Sequence, residues 1–98
     1  MIPFTQYHLP RGLKSHVEFE PVSPAIQALA DKLLAAGCKF ESEVLTTGQV
    51  SLTVAGTPPG ETEEHDIAIA LCRNDYGFIA RAVDKLVVRA ANRMELKE

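Results

Sequence analysis

The chain has 98 residues and a net charge of −3, with 46% hydrophobic and 23% charged residues. That is the size and balance of one ordinary globular domain, 1–98, and the acidity argues against general binding to nucleic acid or to a membrane surface. No apolar run approaches the roughly 18–20 residues of a membrane span, and "MIPFTQYHLP" lacks the basic and apolar regions of a signal peptide, so a cytoplasmic protein is expected.

Residues 2–20 read as a β-hairpin. "IPFTQYHL" and "KSHVEFE" are rich in aromatic and β-branched residues and flank "PRG", where Pro10 and Gly12 suit a turn. Two registers stay open, one pairing Leu9 with Leu13 and one pairing Phe4 with Phe19; a one-residue slip exchanges every face. Residues 23–36 read as a helix. Ser23 is a good N-cap, Pro24 suits the first helical position, and Ile26, Leu29, Ala30 and Leu33 make one apolar face. Gly37 ends it.

A three-stranded meander is predicted over 38–72. In 38–45, Cys38, Phe40 and Val44 share a face; in 49–55, Val50, Leu52 and Val54 alternate with polar residues; "TTG" between them is a hairpin turn. In 66–72, Ile67, Ile69 and Leu71 share a face and the other face carries small residues. One face of the sheet is therefore expected in the core, with these alternating apolar residues on it, and the other in water. A long helix over 76–95 comes last, capped by Asn74 or Asp75, with Ile79, Val83, Leu86 and Ala90 as its core stripe. The expected fold is α+β, a two-layer ββαβββα sandwich with a mostly antiparallel sheet and two helices on one face.

Cys38 and Cys72 are too few for a disulfide framework. As flanks of a middle strand they are expected about 9–10 Å apart, beyond the roughly 7 Å a disulfide spans. "GETEEHD", 60–66, packs four carboxylates and a histidine behind Pro58-Pro59-Gly60. Its spacing matches neither a calcium loop nor a zinc site, so it reads as a solvated connection. His8 and His16 have no third ligand at a readable spacing. No phosphate-binding loop, nucleophile elbow or zinc-protease motif occurs. No cofactor, metal or catalytic residue is expected, and an enzyme is the least favoured reading.

The charge is uneven. Residues 1–70 hold four basic and nine acidic side chains, a net −5, whereas residues 71–98 hold six basic and four acidic, a net +2. Arg81, Lys85, Arg89 and Arg93 recur every four residues on the last helix. They drift only about 40° per step, so they form a ridge beside the apolar stripe. Such a ridge can grip phosphates or an acidic protein; cations late in a helix also complement its dipole.

Residues 23–95 resemble the double-stranded-RNA-binding domain in their α-β-β-β-α order. That family uses a His-bearing loop between its first two strands and a lysine cluster at the start of its final helix. Here those places hold "LTTGQ" and "NDYGFIAR", so the resemblance is one of topology. "MIPFTQY", "LTTGQVSLTV" and "AVDKLVVRAA" resemble small uncharacterised proteins of bacteria and their prophages, a resemblance that implies no activity. The expected function is a small non-enzymatic accessory domain, encoded by a phage on that resemblance, that binds a protein partner. The alternative is a nucleic-acid-binding module that uses the same basic ridge. The sequence leaves the oligomeric state open.

Overall fold

The computed structural model describes residues 24–96; the 2–20 hairpin, His8, His16 and the Ser23 cap lie outside them. Five elements occur in order: α1 (Pro24–Ala35), β1 (Lys39–Val44), β2 (Gln49–Gly56), β3 (His65–Arg73) and α2 (Tyr76–Arg93). The strands form one antiparallel sheet in the order β1-β2-β3. This is the expected α+β arrangement of a three-stranded meander and two helices.

Local chemistry fixes the element ends. α1 closes with a paired C-terminal motif: the Cys38 N–H donates to the Leu33 carbonyl and the Gly37 N–H to the Leu34 carbonyl, each at 3.0 Å. Gly37 has φ +89, a conformation that costs a residue without Cβ almost nothing. The β1–β2 hairpin turns at Thr46-Thr47-Gly48, where the Gly48 N–H donates to the Leu45 carbonyl at 2.9 Å and Gly48 takes φ +85. Asp75 rather than Asn74 caps α2, its carboxylate accepting from the Gly77 N–H at 2.9 Å.

The core lies between the sheet and the helices. Phe40, Val50, Leu52 and Val54 of the sheet meet Leu29, Ala30 and Leu33 of α1 and Ile79, Val83, Leu86, Val87 and Ala90 of α2, all buried. α2 packs closely on β3 and β2, and α1 packs chiefly against α2. Burying one such aliphatic side chain contributes about 1.5–3 kcal/mol.

The faces of β3 depart from simple alternation. Val54 pairs with Ala68 but Ala55 pairs with Asp66, so Ile67 is an extra residue in the ladder. A bulge of this kind puts two successive residues against one and reverses the alternation beyond it. Ile67 and Ala68 are both buried, Ala70 and Cys72 continue on the core side, and Ile69 and Leu71 face outward, 52% and 56% exposed. The expectation that Ile67, Ile69 and Leu71 share one buried face therefore holds for Ile67 alone. Helix packing gives the reason. Ala68, Ala70 and Cys72 are small, and they let α2 approach β3 closely.

The cysteines are free and buried, but much farther apart than the expected 9–10 Å. Cys38 precedes Lys39, which pairs with Ala55, whereas Cys72 pairs with Val50. They stand at opposite ends of β2, about 20 Å apart at ~3.3 Å per residue. Burial raises both thiol pKa values, and the nearby charge of Glu64 adds to the rise at Cys38. Raised thiols are poor nucleophiles at neutral pH.

Candidate functional site

The acidic loop is tied down at two points. Lys39 Nζ lies 3.3 Å from Glu64, and His65 Nε2 lies 2.6 Å from Glu61. Both contacts are exposed; an exposed ion pair such as that of Lys39 adds at most about 1 kcal/mol, and the His65 contact is an ion pair only when the imidazole is protonated. Among the described residues no three His, Cys, Asp or Glu side chains stand close enough to hold a metal ion. The hollow lined by Glu41, Glu43, Ser51 and Thr53 lies open on the wet face of the sheet. It offers carboxylates and hydroxyls without an enclosing wall, and burial is what separates the pKa values of catalytic carboxylate pairs.

The cations are organised differently. Arg81, Lys85, Arg89 and Arg93 are all exposed on α2. None makes an ion pair with a described carboxylate; the two pairs above involve Lys39 and His65. Arg89 Nη1 donates to the Ile69 carbonyl at 3.4 Å, which brings it to β3. Arg81 Nε donates to the Gly77 carbonyl at 3.3 Å. Its guanidinium also lies 5.0 Å from the centre of the Phe78 ring, and that of Arg73 lies 4.5 Å from the same centre. Phe78 thus holds two like-charged groups near each other, each attracted to its ring.

Arg73 therefore joins the ridge from the end of β3. The four-residue spacing on the helix does not reveal it, because Arg73 and Phe78 belong to different elements. α2 runs back along β3, and the ridge accompanies that strand from its end at Arg73 to its middle at Ile69.

β3 is an edge strand among the described residues. The Leu45 N–H donates to the Gln49 carbonyl at 2.8 Å, which marks the bonded pairs of the first ladder. Bonded and non-bonded pairs alternate in an antiparallel ladder. Gln49, Ser51 and Thr53 thus turn their backbone groups to β1, and Val50, Leu52 and Val54 turn theirs to β3. Cys72, Ala70 and Ala68 complete those bonds. The N–H and C=O groups of Ile69 and Leu71 are left pointing outward. The bond from Arg89 to the Ile69 carbonyl agrees with that direction.

The resulting surface has three parts: the outward backbone of Ile69 and Leu71, their exposed side chains on the wet face, and cations without a described carboxylate partner on the helix side. No helix among the described residues is long and apolar enough to cross a membrane. Comparison of the chain with models of known protein families, with curated proteins and with solved structures finds no match.

Proposed function

We propose that this protein is a small non-enzymatic interaction domain that binds an acidic protein partner through Arg73, Arg81, Lys85, Arg89 and Arg93. One observation carries the reading. A chain of net charge −3 keeps five exposed cations along one side, none of them paired with a described carboxylate. Paired cations would be neutral ornament on a solvated surface; unpaired ones project a field that attracts and orients a partner of opposite sign.

The stack of Arg73 and Arg81 on Phe78 favours a second reading, in which the ridge grips nucleic-acid phosphates and the half-exposed ring meets a base. Salt dependence separates the two. Each phosphate contact adds about one unit to the slope of log affinity against log salt, and an interface with a protein is less steep.

The test is the combined variant Arg81→Gln, Lys85→Gln, Arg89→Gln and Arg93→Gln. These side chains are exposed, so the melting temperature should change little. Affinity for a partner captured from the native host should fall by more than about tenfold, since a charge-assisted contact is worth about 1.5–3 kcal/mol. A partner that binds the variant as tightly as the native protein would remove the ridge from consideration.

A further inference from the structure

The edge of β3 deepens the reading of an acidic protein partner, and its use as a docking strand rests on that reading. Ile69 and Leu71 turn two N–H and two C=O groups outward with no described backbone group opposite. Such an edge is a template for another strand, and proteins that do not use it block it with charge, proline or a covering element. Among the described residues Arg89 reaches round to it, with a bond of 3.4 Å at the Ile69 carbonyl. A neutral guest strand would have to displace Arg89 and leave it without a partner. An acidic one offers a carboxylate in exchange, and such charge-assisted bonds are stronger than neutral ones.

The pleat also sets the guest's pattern. In an added strand, residues opposite Ile69 and Leu71 point to the wet face and meet their exposed side chains. The residues between point to the helix side, where Arg89 reaches the edge. The fitting occupant alternates apolar and acidic residues. A second copy of this chain fits poorly, because two β3 edges side by side would bring two cationic ridges together.

We propose that β3 receives an extended acidic segment of a partner protein as a fourth strand, with Arg89 moving from the Ile69 carbonyl to a carboxylate of the guest. Affinity then comes from backbone hydrogen bonds and selection from charge and pleat, as in other strand-addition modes. The chain's own residues 17–20, Val-Glu-Phe-Glu, carry the same alternation and are the competing occupant.

The probe is an acetylated nonapeptide alternating glutamate and valine, titrated into the full-length protein. A matched peptide has alternate backbone amides methylated, which keeps its charge and removes its donors. Methylation should weaken binding by at least about tenfold, the effect of losing two backbone hydrogen bonds of ordinary net worth. Hydrogen exchange at the Ile69 and Leu71 amides should slow when the unmethylated peptide binds. Arg89→Gln should narrow the preference for this peptide over one alternating threonine and valine. If both acidic peptides bind equally and the four-glutamine variant binds neither, the ridge reading stands and strand addition falls. If the four-glutamine variant binds the acidic peptide as well as the native protein does, or if the native protein does not bind it, both fall. Ile69 and Leu71 amides protected in the free monomer would assign the edge to residues 17–20, and a dimer by sedimentation would assign it to a second copy. Either result overturns the proposal.

Discussion

Asp84 on α2 has one carboxylate oxygen buried without a hydrogen-bond partner among the described residues, and burial raises its pKa from the ordinary value. A carboxyl group raised by folding favours the native state when protonated. Its contribution is fully present below about pH 4 and is lost as pH rises through the raised value. At neutral pH the charged form is therefore a burden on the native state. Asp84→Ala removes the unpartnered oxygen and substitutes a better helix former. It should stabilise the protein by roughly 1 kcal/mol at pH 7, with the gain shrinking as pH falls towards 4. Urea denaturation at the two pH values measures both. An equal gain at both would mean that helix propensity, not the buried charge, is responsible. None of this is legible in the sequence, where Asp84 is one polar residue among several on a helix; its burial depends on what packs beside it.

Among the elements, those set by neighbours in the chain are legible in the sequence and those set by distant residues are not. Pro24 and Gly37 bound α1, Thr46-Thr47-Gly48 makes the hairpin, and the stripe from Ile79 to Ala90 lies in the core, each as its local pattern predicts. The faces of β3 escape because alternation cannot reveal an extra residue. Ile67 interrupts the ladder at Val54 and Ala55, residues that stand on another strand. Arg81, Lys85, Arg89 and Arg93 form a readable ridge by their spacing, but their place along β3 is not readable. The contact between Arg89 and Ile69 joins residues twenty apart. The corrected faces make a test that separates the two arrangements of β3. Ala70→Leu inserts three carbons beneath α2 and should destabilise by about 1–3 kcal/mol. Leu71→Thr changes an exposed side chain and should stay within about 0.5 kcal/mol. Thermal unfolding of the two variants decides, and the reverse order would restore the unbulged strand.

At the scale of the described residues together, one layer of helices covers one face of the sheet, and Arg73, Arg81 and Arg89 stand where that layer meets the edge at β3. The wet face carries Glu41 and Glu43 on β1 and runs on to Ile69 and Leu71 on β3, with Arg73 and Arg89 at that edge. The bulge at Ile67 bears on how the chain tolerates changes in its length. Removing a residue from a regular strand exchanges the faces of everything beyond it. Removing Ile67 instead leaves Asp66 opposite Ala55 and Ala68 opposite Val54, which is continuous pairing. The deletion should cost about 2–4 kcal/mol for the lost core side chain, yet keep Ala70 and Cys72 inside and Ile69 and Leu71 outside. Thiol labelling of the native protein reports on this, with Cys38 at the far end of the sheet as the control. Labelling of Cys38 and Cys72 should accelerate together as stability falls. Selective labelling of Cys72 would mean that the strand had turned over. Residue 67 is thus a joint at which the chain is expected to shorten by one residue and still present the same side chains to water.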